Sequence, residues 1–161
     1  METRTYNIYI CGVGGQGILK ASELCGIAAM RAGYHVKKSE VHGMAQRGGS
    51  VESHVRFGPS IASPLIPPGQ ADFLVCFDAQ EADRMAFYLK QGGVDFRPFL
   101  EKARATLPDQ RFLNTYLSGV LSLYLPIEEQ VWLAALREIM TRAVEENEKV
   151  FLNARKDGTT A

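Results

Sequence analysis

The run Tyr6-Asn7-Ile8-Tyr9-Ile10-Cys11, broken at once by Gly12-Val13-Gly14-Gly15-Gln16-Gly17, constrains the fold of this chain more than any other stretch. Residues of high β propensity lead into glycines, after which Ala21, Leu24, Cys25 and Ala28 recur at i, i+3, i+4 and i+7, and Gly33 is placed to stop that stripe. The expectation is strand, glycine loop, amphipathic helix, the opening unit of an α/β protein. Glycines at Gly12, Gly14 and Gly17 have the spacing of a dinucleotide fingerprint, in which Cβ-free residues allow a tight turn and let a diphosphate approach N–H groups at a helix N-terminus. A nicotinamide site would place an acidic residue about 20 positions on, at the end of the second strand. Here that strand ends in Lys37-Lys38-Ser39, with Glu40 a little late, which disfavours an NAD(P)-dependent dehydrogenase. A structural turn, another phosphate-bearing ligand and a close approach by a partner chain remain open.

Further strands are expected at 34–39 and, from the alternation of Val51, Val55 and Phe57 with Glu52, His54 and Arg56, at 50–57. The first of these completes a βαβ unit. Pro59, Pro64, Pro67 and Pro68 send the next stretch over the surface, with a short edge strand at 61–66. Residues 71–77 form an apolar run suited to a strand covered on both faces, and Asp78 can cap a helix carrying Ala82, Met85, Ala86 and Leu89. If Gly92-Gly93 closes that helix, only Val94 stands before Asp95, so the strand that should follow is missing and the chain is either shortened or interrupted there. Helices are expected at 95–106, with Pro98 in the first turn, then along Leu113, Tyr116, Leu117, Val120, Leu121 and Tyr124, then at 128–140 around Trp132, and at 142–155. The expected architecture is a single domain over 1–161: α/β, three-layer, doubly wound, with a mostly parallel sheet of about five strands and C-terminal helices.

Composition excludes several function classes. The chain has 161 residues, 46% hydrophobic and 22% charged, so it can bury a core without disulfides or metal. Its 18 basic and 18 acidic residues cancel, which removes any bulk attraction to nucleic acid or an anionic membrane. No apolar run is long enough to span a bilayer, and Met1 to Asn7 has no apolar core of a secretory signal, so a cytoplasmic location is expected. Cys11, Cys25 and Cys76 are scattered in apolar company and read as buried thiols; a chain with three cysteines lacks the set of about four that a cluster needs.

The polar stretch Ser39 to Ser50 belongs near the carboxyl end of a strand, the edge at which open α/β sheets bind ligands. Within it His42 is a candidate acid–base group and Arg47, beside Gly48-Gly49, a candidate anion donor. Lys37 and Lys38 are either phosphate contacts or a solvated strand end. No nucleophile paired with a base and no helical metal-ligand spacing is legible.

Residues 12–58, GVGGQGILKASELCGIAAMRAGYHVKKSEVHGMAQRGGSVESHVRFG, closely resemble the gamma-type domain of 2-oxoacid:ferredoxin oxidoreductases, and within that family its indolepyruvate-type members. The likeness continues through SPLIPPGQADFLVCFDAQEADR at 63–84 and more loosely through LNTYLSGVLSLYLP. The resemblance implies a subunit of an assembly in which thiamine diphosphate decarboxylates a 2-oxoacid, iron–sulfur clusters pass electrons to ferredoxin, and coenzyme A accepts the acyl group. Thiamine diphosphate and the clusters would lie on a large partner subunit, and this chain, inactive alone, would help bind coenzyme A and close the active site. Carried over by position, the cofactor-facing residues are Gly12, Gly14, Gly15, Gln16, Gly17, Arg47, Gly48, Gly49 and Ser50, and the partner- or active-site-facing ones are His42 and Gln46; the polar face of the third strand adds His54 and Arg56 to the latter. His54 and Arg56, the proline-rich segment and the 42–50 loop are expected to form one contiguous surface. A non-catalytic assembly or ligand-binding module without its own cofactor is the alternative.

Overall fold

A computed structural model describes residues 3–43 and 48–159. In chain order the elements are β1 (Tyr6–Val13), α1 (Ile18–Arg31), β2 (His35–His42), β3 (Ser50–Gly58), β4 (Ala71–Cys76), α2 (Ala79–Met85), a 3-10 turn at Ala86–Tyr88, β5 (Leu89–Asp95), α3 (Arg97–Thr106), a second 3-10 turn at Gln110–Phe112, α4 (Leu113–Ser122), α5 (Glu129–Ile139) and α6 (Val144–Thr159). The strands form one sheet in the order β2-β3-β1-β4-β5. β1 pairs in parallel with β4, as β4 does with β5, whereas β3 runs antiparallel to both of its neighbours. Four strands therefore share one direction, as expected, and β2 is parallel to β1. The two are not neighbours, because β3 lies between them.

Alternation along β1 divides the sheet into two faces. Ile8 and Ile10 share one face with Val55 and Phe57. There the expected stripe of α1 (Ala21, Leu24, Cys25, Ala28) is buried, and the Ser22 and Ser53 hydroxyls share a buried hydrogen bond of 2.7 Å. α1 packs against α4 and α5, and α4 against α6. Within this helical layer Trp132 is fully buried with its ring 5.9 Å from that of Phe151. The opposite face carries Asn7, Tyr9, Glu52, His54 and Arg56, and its cover is thinner: α2, the Ala86–Tyr88 turn and the extended stretch 59–70. That asymmetry gives the three layers their unequal thickness.

Most elements lie close to their expected positions, including the Asp78 cap, whose Oδ1 accepts from Glu81 N–H at 3.0 Å. Two expectations fail. No edge strand forms at 61–66, because the segment crosses over the sheet rather than beside it. The strand thought to be missing after Gly93 is present as β5. The helix stops at Met85, and Gly92-Gly93 belong to the strand, where the register with β4 shifts between Ala71↔Leu89 and Phe73↔Val94. A Cβ at Gly93 would stand 2.6 Å from Leu89 Cδ1 and 3.0 Å from Asp72 O, so the irregular edge strand requires glycine there.

Candidate functional site

α1 follows β1 onto one face and α2 follows β4 onto the other, so the chain reverses its winding at the carboxyl ends of these adjacent strands. A crevice opens at such a switch point. The glycine loop fills it, and its glycines do different jobs. Gly12 is buried: a Cβ there would meet Gln16 Oε1, Ile18 Cδ1 and Phe77 Cβ, each at 2.8 Å. Gly15 (φ +91°) and Gly17 (φ +94°) occupy the left-handed region that side chains disfavour. Gly14 and Gly15 are exposed, and nothing lies within 4 Å of a Cβ built on Gly15.

Gly17 is the N-cap of α1, which therefore has no side-chain cap, and its first turn holds no acidic residue. The first N–H groups of a helix have no intrahelical acceptor and carry the positive end of its dipole. Lys20 of that first turn donates to Ile139 O at 3.1 Å. A cavity of about 360 Å³ lies against this terminus, bounded by Gly14, Gly15, Leu19, Lys20, His42 and Val51. A second of about 360 Å³ lies on the other flank of the loop, where Gly15 to Gly17 face Arg104, Gln110, Arg111 and Asn114. The arrangement suits the backbone recognition of an anion at the rim of an apolar cleft.

Among the expected site residues, Gly14, Gly15, Gly17 and His42 come together around the first cavity. Gly49 joins them through its carbonyl, which accepts from Gly14 N–H at 2.9 Å, and Gly48 (φ +67°) lies beside Val13. Gln16 turns inward: its Oε1 accepts from Val13 N–H at 2.8 Å and closes the loop on itself. The Ser50 hydroxyl donates to Glu81 Oε1 and accepts from Arg84, both at 2.9 Å. Gln46 and Arg47 lie outside the described residues.

His54 and Arg56 need correction. His54 is 3% exposed and its Nδ1 accepts from Ile66 N–H at 3.0 Å, so it is covered by its own chain and cannot present itself to a partner. Burial, with Arg56 nearby, holds its pKa below the ordinary histidine value, against an opposing influence of Glu52. Arg56 is half-buried and donates to Asn7 Oδ1 and to the carbonyls of Ser63 and Leu65. β3 also carries both residues away from the 42–50 loop, since Arg56 pairs with Lys37 and Val51 with His42. Among the described residues, His54 and Arg56 are not brought beside His42, Gly43 or Ser50. Lys37 donates to Ala62 O, and Lys38 lies over Gly26 of α1, so neither faces the glycine loop.

The residues that sequence reasoning missed are Arg104 and Asn114. Arg104 donates to Phe77 O at 3.0 Å and Gln110 Oε1 at 3.2 Å, which ties the end of α3 to the end of β4. The Asn114 side chain stands 3.0 to 3.2 Å from where a Gly17 Cβ would be. Both are remote in sequence from the loop and leave no local signal. Among the described residues no cluster of histidine, cysteine or carboxylate groups could hold a metal ion, and no helix is long and apolar enough to cross a membrane.

Residues 7–96 match the family model described as pyruvate ferredoxin/flavodoxin oxidoreductase. Over 93 residues the chain is 54% identical to the indolepyruvate oxidoreductase subunit IorB of Thermococcus kodakarensis, covering 58% of this chain and 46% of that protein. The ketoisovalerate oxidoreductase subunit VorA of Methanothermobacter marburgensis is 32% identical over 94 residues, 58% of this chain and 19% of that one. The chain thus spans about half the length, or less, of the curated relatives it matches. Among solved structures, the gamma subunit of a keto/oxoacid ferredoxin oxidoreductase from Geobacter sulfurreducens shares the fold with a TM-score of 0.78 at 22% identity, covering 97% of this chain and 99% of that one. A 2-oxoglutarate:ferredoxin oxidoreductase from Magnetococcus marinus superposes with a TM-score of 0.79 at 18% identity, covering 99% of this chain and 32% of that one.

Proposed function

The chain belongs to the pyruvate ferredoxin/flavodoxin oxidoreductase family, and from that premise we propose that it is the clusterless small subunit of a cytoplasmic, indolepyruvate-type 2-oxoacid:ferredoxin oxidoreductase. It works with a large partner subunit, and the assembly converts a 2-oxoacid and coenzyme A to an acyl-CoA and carbon dioxide while reducing ferredoxin. The observation that carries this chain's share is the α1 N-terminus, capped only by Gly17 and flanked by the exposed backbone of Gly14 and Gly15. It offers N–H groups to a diphosphate and makes no demand for an acidic ribose ligand, which matches coenzyme A. The Magnetococcus marinus neighbour is described with coenzyme A and succinyl-CoA bound, which supports the same reading.

The chain's own residues do not fit an iron–sulfur cluster. Burial pushes the Cys25 and Cys76 thiols up to about 12 and raises Cys11 as well, so all three are held protonated, whereas cluster ligands are thiolates. Clusters and thiamine diphosphate, which supplies the decarboxylation chemistry when bound, are assigned to the large partner. The nicotinamide reading is further weakened at the end of β2, where His42 and not a carboxylate lines the cavity beside the glycine loop.

Titration calorimetry separates these ligands. Coenzyme A is expected to bind more tightly than NADH, and Gly14→Val is expected to weaken it at least tenfold. The β-carbon itself meets only ordinary contacts of 3.7 Å or more, and an unchanged melting temperature would show that the loss is one of binding. Tighter binding of NADH would overturn the assignment. Co-purification with the large partner, followed by acyl-CoA formation from several 2-oxoacids, tests the rest: activity is expected only from the complex, with indolepyruvate preferred, and robust turnover by this chain alone would overturn it.

A further inference from the structure

We propose that the proline-bearing segment 59–70 is a pH-gated strap, held over the thinly covered face of the sheet by the unprotonated Nδ1 atom of buried His54 and released when acid protonates it. Ile61 N–H donates to His35 Nδ1 at 2.9 Å, and Ile66 N–H donates to His54 Nδ1 at 3.0 Å. A backbone N–H can only donate, so each Nδ1 bonded here carries a lone pair, and the His54 imidazole is fixed as the neutral Nε2–H tautomer. Protonation of His54 would set N–H against N–H within the segment. Ile61 and Ile66 are the strap's buried side chains, so these two bonds stand where it is anchored.

The remaining ties come from guanidinium, ammonium, amide and main-chain donors. Arg56 donates to Ser63 O and Leu65 O, Lys37 donates to Ala62 O, Asn7 Nδ2 donates to Gln70 O, and Gly69 N–H donates to Phe87 O. The groups around His54 are Glu52 and Arg56 on its own strand, Tyr9 of β1 with its ring 5.0 Å away, and Tyr88 with its ring 5.6 Å away. The Tyr9 hydroxyl is engaged by Glu52 at 2.7 Å. Lys37 stands opposite Arg56 in the β2–β3 register and, two residues along, shares a face of β2 with His35. Asp72 of β4, beyond Asn7, is neutralised by Arg4 and Lys90. Among the described residues, Arg56 and Lys37 thus outnumber the Glu52 carboxylate near His54 and oppose a further positive charge in the closed state.

The sign follows from linkage. A histidine whose closed-state pKa is lowered, as for His54, contributes stability above the free value of about 6.5 and loses it as pH falls below that. At pH 5.5 a released His54 with the free value holds its proton in about nine molecules of ten, which favours opening by up to about tenfold.

Hydrogen exchange on the full chain tests the device. Protection of the Ile66 amide, taken against unstructured rates at the same pH, is expected to fall by up to about tenfold between pH 7.5 and 5.5 while that of Val55 holds. Asparagine places a non-titrating oxygen near the position of Nδ1. His54→Asn should abolish the fall. A flat wild type, or a His54→Asn variant that falls as steeply as wild type, would overturn the proposal. If His54→Asn prevents folding, the His54 imidazole signal of the wild type, followed by NMR over the same pH range, replaces it, and protonation of that ring without opening at Ile66 would overturn the proposal.

Discussion

The glycine loop and the segment 59–70 are both irregular, yet they are shaped by opposite means. The loop takes its form from what side chains it lacks: Gly12 leaves room for Phe77 and Ile18, and Gly15 and Gly17 supply left-handed backbone. The proline-bearing segment takes its form from side chains belonging to other elements, since Asn7, His35, Lys37, His54 and Arg56 all reach its main chain. A backbone requirement is written into the residue that meets it. A clamp is written elsewhere, in residues that look like the polar face of a strand.

Substitutions can break that contrast. The largest effect is expected from Gly12→Val, which forces a branched side chain into three contacts of 2.8 Å. A loss of about 3 kcal/mol, seen as a drop in melting temperature of about 10 °C, is the expected cost. Next comes Gly17→Ala, where the left-handed φ and the Asn114 side chain 3.0 Å away together should cost about 1–2 kcal/mol in the same measurement. The smallest is Arg56→Ala. It removes donors to Ser63 and Leu65 from a part-exposed position, so about 1 kcal/mol is expected, confined to local opening of the segment in hydrogen exchange. Equal melting shifts for Gly12→Val and Arg56→Ala would erase the distinction between the two regions.

The same contrast explains what was legible in the sequence. Strand, loop and helix at 6–31 follow from periodicity and glycine placement, and the α/β layering follows from repeating that pattern. The buried stripe of α1 was readable residue by residue. Gly92-Gly93 misled because paired glycines close helices and also relieve crowding in irregular edge strands, and only the contacts with Leu89 and Asp72 decide between these roles. His54 and Arg56 misled because alternation marks a polar face without saying whether water or the chain itself covers it. Arg104 and Asn114 were invisible because their place beside the loop depends on the packing of α3 and α4.

The insertion of β3 between β2 and β1 also has a consequence in time. β2 and β3 meet across the connection 43–49, whereas β1 must find β3 with Tyr6 opposite Phe57 and β4 with Ile8 opposite Phe73. Local contacts form early and distant ones wait on loop closure. The β2–β3 hairpin is therefore expected to exist before β1 docks on it. The bond from Gly14 to the Gly49 carbonyl joins that hairpin's connection to the glycine loop, so the edge proposed to take the diphosphate is among the last parts of the sheet to be assembled, and slow folding would show there first.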